Sequence, residues 1–441
     1  MNNKKEAIEL NWRDYYNSRI VPPEEAVKAV QSGDRVVLGH ASGEPRVVVE
    51  ELVSRAGELR DVEIVHMVAM GKSLYCRREY SDSFRHNGLF IGASTKEAVA
   101  EGRADYTPCF FSEIPSLFRE GVLGVDVAMI IVSPPDKDGY VSLGISVDYT
   151  LQAALSASTV IAEVNPQMPR TGGKSLLHVK DIDYFVLSVM PLYELSPSKI
   201  GEVENAIGDH IAGLIKDGDC LQLGIGAIPD AVLSFLKDKK DLGIHTEMIS
   251  DGVMGLTEEG VINGMRKQLH PGKISLTFIM GSSKLYRWVD NNPLIEAYPV
   301  DYTNDPFVIA QNDNVVSINS AIAVDLLGQV ASDTIGPRQF SGVGGQVDFV
   351  RGAARSRGGR SIIALPATAK KGSVSRIVVA LERGQSVTTS RNDVDYVATE
   401  YGIAHLKGKT CSKRAQELIN IAAPEFRGQL RRECRELYGW L

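Results

Sequence analysis

Three short stretches of this chain hold residue types that do chemistry at the edge of a parallel sheet. Leu223-Gly-Ile-Gly-Ala-Ile-Pro229 places two glycines between a strand-like run and a helix-like one. Such a turn brings backbone N–H groups close to a ligand, and the helix behind it adds partial positive charge. A tight turn that needs glycine only for its geometry reads the same way. Pro229 suits a first helical turn but stands where a dinucleotide fingerprint has its third glycine, so the Rossmann signal is weak. Ser341-Gly-Val-Gly-Gly-Gln346 sets three glycines in four residues. Its neighbours, Phe340 and Val347-Asp-Phe-Val350, belong to packed structure and not to a linker, which favours amides converging on an oxyanion. The third stretch is Gly243-Ile-His-Thr-Glu-Met-Ile-Ser-Asp-Gly252. A glutamate in an apolar strand is ordinarily paired with a base or solvated at the strand end. Glu247, however, follows the first glycine turn by one βα unit, and ligands of parallel sheets collect at the carboxyl ends of strands. The spacing predicts a carboxylate that shares a crevice with both glycine loops.

Other groups are weaker candidates. His245 lies two residues from Glu247 on the same strand face, and a lone histidine is more often structural than a base. Glu44, beside Pro45, reads as a solvated turn residue, although it could orient a substrate. No Gly-x-Ser-x-Gly elbow, Walker A loop or His-Glu-x-x-His helix is present, which removes the serine-hydrolase, P-loop and zinc-protease classes. Phe349 to Leu381 contains no acid but has Arg351, Arg355, Arg357, Arg360, Lys370, Lys371 and Arg376. A solvated basic loop and an anion-binding surface both fit that run.

The elements that must position these residues alternate strand and helix, the pattern of parallel α/β sheets. Helices are expected at 26–31, 47–56, 95–100 and 200–215, and strands at 36–38, 62–68 and 125–132. Two helices, 412–421 and 424–438, close the chain. The chain also repeats itself. Gly33-Asp34 to Gly39 is echoed by Gly218-Asp219 to Gly224, Phe90-Ile91 to Lys96 by Phe278-Ile279 to Lys284, and Val160-Ile161-Ala162 by Ile362-Ile363-Ala364. Collinear echoes about 180 to 200 residues apart predict two α/β units from a duplicated ancestor. The expected domains are 1–190 and 199–441, joined by the proline- and serine-bearing segment 190–198.

With 441 residues, two domains are the natural prior. The net charge, 48 − 55 = −7, argues against general nucleic-acid affinity. No apolar run approaches the roughly 20 residues of a membrane helix, and the first residues lack a signal-peptide core. Five cysteines without paired or metal-ligand spacing read as reduced thiols in a cytoplasmic protein.

Beyond the residues taken singly, whole stretches resemble the acetyl-CoA hydrolase/transferase family, and within it the 4-hydroxybutyrate CoA-transferase group. They are Val132-Ser-Pro-Pro-Asp136, Leu223 to Val232, Gly243 to Gly252, Gln339 to Gly352, Thr388-Thr-Ser-Arg-Asn-Asp393 and Thr399-Glu-Tyr-Gly-Ile-Ala404. The similarity runs from about Trp12 to the closing helices. It implies two similar open α/β domains with largely parallel sheets, and a glutamate nucleophile that maps onto Glu247. The family's CoA-contacting loop maps onto Gly224, Ile225, Gly226, Ala227 and Ile228, with further contacts on Asn319, Gly342, Gly345 and Lys370. Amides of the Gly342–Gln346 loop, Gly344 and Gly345 foremost, are the expected oxyanion donors. The one visible departure is Thr246, where some relatives have serine. The implied activity is CoA transfer between an acyl-CoA and a short carboxylate, by a ping-pong route through a glutamyl-CoA thioester. An acyl-CoA hydrolase and a non-catalytic acyl-CoA sensor are the alternatives. The expected partners are acyl-CoA and small carboxylic acids, with coenzyme A as substrate, no metal or other cofactor, no nucleic acid and no membrane. A homo-oligomer is expected.

Overall fold

Runs rich in valine and isoleucine that are apolar throughout must bury both faces, and here they do so as two parallel sheets. The computed structural model describes residues 11–440. Seven strands form the sheet of the first unit: β1 (Arg35–Leu38), β2 (Val62–His66), β3 (Phe84–Gly88), β4 (Ala104–Tyr106), β5 (Val127–Val132), β6 (Thr159–Val164) and β7 (Tyr184–Leu187). Their order is β7-β6-β5-β1-β2-β3-β4, parallel throughout. Helix α1 (Arg46–Ser54) lays Val48, Val49, Leu52 and Val53 on this sheet, against Leu38, Ile64 and Met129. Each fully buried side chain of this size contributes roughly 1.5–3 kcal/mol.

The second unit is built from β8 (Cys220–Leu223), β9 (Gly243–His245), β10 (Ile274–Leu276), β11 (Val315–Ser320), β12 (Arg360–Ala364), β13 (Tyr396–Thr399) and β14 (Gly402–His405). The order is β14-β13-β12-β11-β8-β9-β10, parallel except for the terminal hairpin β13–β14. Helices α2 (Glu202–Ala212), α3 (Ala227–Ser234), α4 (Gln346–Arg355), α5 (Cys411–Ile421) and α6 (Pro424–Tyr438) belong to this unit. Leu418, Ile419, Leu430 and Cys434 of the last two close the core over Ile363 and Val397.

With β4 of the first unit and β14 of the second set aside, each unit orders its strands third-second-first-fourth-fifth-sixth. The sequence echoes fall at equivalent places: across the first strands, just after the third, and within the fifth. The duplication is therefore written in the topology as well as the residues. In such a sheet the order reverses between the first and fourth strands, and the crevice outside their carboxyl ends is the usual ligand site. That switch point lies between β1 and β5 in the first unit and between β8 and β11 in the second.

The expected division into 1–190 and 199–441 needs correction in two places. Thr277–Tyr302 belongs to the first unit and Phe110–Ser112 to the second, while the main boundary falls at Leu195. Hydrogen bonds explain both exchanges. Val147 N donates to Thr277 O at 3.1 Å and Ile279 N to Ile145 O at 2.9 Å, so the chain after β10 pairs with first-unit backbone. Phe111 N donates to Gly344 O at 3.3 Å. Helix α2 is shorter than the expected 200–215, running between Gly201 and Gly213. Among the described residues no helix is long and apolar enough to cross a membrane.

Candidate active site

Two residues beyond β9 the chain bends, and the bend presents Glu247, half-buried, at the carboxyl end of its strand. Asn304 Nδ2 donates to Glu247 Oε2 at 3.2 Å. A Cβ built on Gly345 would fall on both Glu247 Oε2 and Asn304 Nδ2, so any side chain at position 345 would displace one or both of them. Its φ of −91° is open to any residue; the requirement is one of space. Gly344 differs, with φ of +56°, a left-handed turn that glycine adopts without penalty. Gly345 caps α4, so the positive end of a ten-residue helix abuts the carboxylate.

Asp348, in the first turn of α4, is 3% exposed. Its carboxylate accepts from Ser112 N at 3.1 Å and Ser112 Oγ at 2.9 Å, and the nearby Asn304 amide favours its charged form. Burial pushes its pKa up to about 7; the Ser112 hydrogen bonds oppose the rise and the charge of Glu247 adds to it.

Two buried contacts fix this arrangement. Thr246 Oγ1 donates to Leu223 O at 3.1 Å and accepts from Leu223 N at 3.3 Å, which ties the neighbour of Glu247 to the last residue before the first glycine turn. His245 Nε2 donates to Thr303 O at 2.8 Å and so anchors the residue before Asn304. The imidazole is fully buried and its pKa is lowered to about 3, by burial first and Lys267 second. It is a neutral brace and not a base.

The first glycine turn, Gly224 to Ile228, leaves β8 at the switch point. Gly226 has φ of +115° and ψ of −179°, a conformation reserved for glycine. A Cβ on Gly224 or Gly226 would meet nothing within 4 Å, and Ile225 is exposed. The first unit's equivalent turn is filled: a Cβ on Gly39 would strike Gly43 O, and one on Gly43 would strike the Ser146 side chain. Across the switch point Asn319 Nδ2 donates to Gln222 Oε1 at 3.0 Å, beside Ser317.

Glu247, Gly344 and Gly345 of the expected residues are thus brought together, with Gly224, Ile225, Gly226, Ala227, Ile228 and Asn319 at the same end of the sheet. Gly342 is buried in the coil leading to α4. Lys370 stands apart, exposed on the turn between Thr368–Ala369 and Val374–Ser375 with φ of +49°. Three of the seven basic residues in the run pair with acids from elsewhere: Arg351 with Asp393 at 3.4 Å, Arg357 with Asp313 and Arg360 with Asp219. Lys370 and Lys371 are exposed and make no ion pair among the described residues. Glu44 also departs from expectation. It is 4% exposed, its Oε2 accepts from Met70 N at 3.1 Å and Gly71 N at 2.9 Å, and burial pushes its pKa up to about 7. Asn304, Asp348 and Ser112 are participants that the sequence did not mark; only Asp348, an acid inside an apolar run, offered a signal.

Residues 1–189 match the acetyl-CoA hydrolase/transferase N-terminal domain and residues 281–434 the corresponding C-terminal domain. The 4-hydroxybutyrate coenzyme A transferase of Clostridium kluyveri is 59% identical, over 97% of this chain and 100% of its own. Two solved structures each align over 97% of this chain and 100% of their own. They are RipA from Yersinia pestis, 38% identical with a TM-score of 0.93, and a 4-hydroxybutyrate CoA-transferase from Porphyromonas gingivalis, 43% identical with a TM-score of 0.83. With a carboxylate, an amide and a closely packed glycine gathered at one strand end, and family models covering both halves, the chain belongs to the acetyl-CoA hydrolase/transferase family.

Proposed function

We propose that this protein is a CoA-transferase that moves CoA between an acyl-CoA (acetyl-, succinyl- or butyryl-CoA) and a short carboxylate such as 4-hydroxybutyrate, butyrate or itaconate. The observation that carries the reading is Glu247, held by Asn304 in the space that Gly345 leaves open. The activity for which the Clostridium kluyveri relative is named supports the substrate class.

The chemistry follows from the carboxylate. A Glu247 oxygen attacks the thioester carbonyl, the C–S bond breaks, and CoA leaves as thiolate, giving a mixed acyl-glutamyl anhydride. The thiolate then attacks the glutamyl carbonyl, and the donor acid departs as carboxylate, leaving Glu247 as a CoA thioester. An incoming carboxylate attacks that thioester and expels the thiolate. The thiolate takes the new acyl group and frees Glu247. The route is ping-pong and consumes no oxidant or proton.

A carboxylate is a weak nucleophile, so positioning must supply most of the acceleration, up to roughly 7–11 kcal/mol for two oriented reactants. Asn304 fixes which Glu247 oxygen faces the substrate, and it stabilises charge on Oε2 when the glutamyl carbonyl is attacked. The Gly344–Gly345 backbone at the helix N-terminus serves the other oxyanion, a donor of this type being worth about 2.7–4 kcal/mol. CoA lies over the open Gly224–Ile228 turn at the switch point, with Asn319, Gly342 and Lys370 as further contacts. We place the enzyme in a reducing cytoplasm, which the five free cysteines support, and expect a homo-oligomer, which sedimentation would test.

The deciding experiment incubates the enzyme with acetyl- or succinyl-CoA, with and without an acceptor acid, and weighs the Glu247 peptide. Transfer predicts a CoA adduct on that peptide and acceptor-dependent product. Free CoA accumulating without acceptor would make the protein a hydrolase. Tight binding with no adduct at all would make it a sensor.

A further inference from the structure

The Asn304 amide is asymmetric in its surroundings. Its Nδ2 donates to Glu247 at 3.2 Å and lies close enough to Asp348 to favour that carboxyl's charged form. Its Oδ1 is buried and has no hydrogen-bond partner among the described residues. An amide can rotate by half a turn and exchange those two ends with little change of shape. Rotated, its oxygen would face both carboxylates. Unrotated, one acceptor site is left unfilled, which itself has a cost. The orientation is therefore set by the carboxylates and not by any partner of Oδ1. Glu247 cannot set it through the whole reaction, because it loses its charge on forming the anhydride and the thioester. Asp348 keeps its place throughout, pinned by the amide and hydroxyl of Ser112 at 3.1 and 2.9 Å.

We propose that Asp348 is a positioning residue: held by Ser112, it turns the Asn304 amide so that an N–H continues to point at position 247 while that side chain is acylated. The inference rests on the CoA-transferase reading, since it concerns the intermediates of that reaction. The same geometry assigns Ser112, which reaches α4 from 236 residues away, a share in the task. The role differs from that of a general acid or base, for Asp348 reaches the substrate only through Asn304.

A double-mutant cycle on kcat tests the proposal, using Asp348→Asn, Asn304→Ala and the two together. Asp348→Asn keeps the shape but lets Asn304 lie either way round. The expected result is a fall in kcat of about 10- to 100-fold with KM for acyl-CoA little changed, the range that small misplacements at a reacting centre produce. In the Asn304→Ala background the same substitution should cost less than about twofold. If the two losses multiply, or if Asp348→Asn alone leaves kcat intact, the proposal is overturned. Should Asp348→Asn fail to fold, Ser112→Ala enters the same cycle in its place, with the same expected loss of effect once Asn304 is gone. The adduct on the parent enzyme separates the two levels. If none forms, the transferase reading falls and this inference with it. If it forms and the losses multiply, only the positioning role falls.

Discussion

Replacing Glu44 by glutamine should stabilise the first unit at neutral pH and leave it nearly unchanged at acid pH. Both backbone amides that hold this side chain, Met70 N and Gly71 N, donate to the same oxygen, Oε2. A glutamine offers one carbonyl oxygen to take over both. Its new NH2 would stand where Oε1 now lies, beside the Tyr193 hydroxyl, since a Cβ on Gly71 would contact both of those groups. The swap thus keeps the hydrogen bonds and removes only the ability to ionise.

The ordinary glutamate value is 4.5, and burial raises that of Glu44 to about 7, against the pull of the two amides and Arg46. Below pH 4.5 the carboxyl is protonated in both the folded and the unfolded chain and contributes nothing. Between pH 4.5 and 7 the unfolded chain releases its proton while the folded one keeps it, so stability falls as pH rises. Above pH 7 the full cost is present. At roughly 1.4 kcal/mol per tenfold in proton affinity, that cost is about 3 kcal/mol. Asp348 follows the same trend but occurs in both proteins and cancels in the comparison.

Hydrogen exchange read on peptides spanning residues 35–66, for both proteins at each pH from 4.5 to 8, gives the difference free of intrinsic exchange rates. The variant should gain about 3 kcal/mol of protection relative to the parent across that range. Parallel curves, or a variant less protected at every pH, would refute the claim that an ionisable group is being held against its charge.

Three further outcomes follow from the site. Gly345→Ala should lower kcat by about 100-fold or more without unfolding the chain, because the added methyl would fall on Glu247 and Asn304; kinetics beside a melting curve check it. Thr246→Val removes a hydroxyl that bonds both Leu223 N and Leu223 O, so a loss of about 1–3 kcal/mol in stability is expected, read by chemical denaturation. Lys370→Ala should weaken CoA binding and flatten its salt dependence while sparing dephospho-CoA more, as calorimetry at two ionic strengths would reveal; unchanged affinity removes Lys370 from the site.

How far the sequence reaches depends on the range of the interaction involved. Helix α6 occupies the expected residues 424–438, and α1, with the short 3-10 turn after it, covers the span expected from 47 to 56, because their limits are set by adjacent prolines, glycines and apolar periodicity. Glu247 was legible because an acid in an apolar strand stands out locally. Asn304 was not: its meaning comes from a carboxylate 57 residues away. Ser112 acquires its role from Asp348, 236 residues on. The basic run misled for the same reason. Free of acids in sequence, it finds them 42, 44 and 141 residues away, at Asp393, Asp313 and Asp219. Glu44 looked solvated beside Pro45, yet amides 26 and 27 residues downstream enclose it.

The duplication bears on why the proposed nucleophile lies in the second unit. Both units place a carboxyl group against the backbone that follows their second strand, but from different sources. In the first, Glu44 reaches across from the turn after β1 to the amides of Met70 and Gly71, beyond β2. In the second, Glu247 comes from the bend after β9 itself, and the turn after β8 is left to glycine. The consequences for reactivity are opposite. A carboxyl that is 4% exposed, bonded to two amides and protonated to about pH 7 has neither the charge nor the access to attack a thioester. Glu247 is half-buried, bonded by the Asn304 amide and packed against Gly345, and it keeps the access that Glu44 lacks. The acid follows the first strand in one unit, where it is a buried plug, and the second strand in the other, where it is the proposed nucleophile and the turn after the first strand is left open.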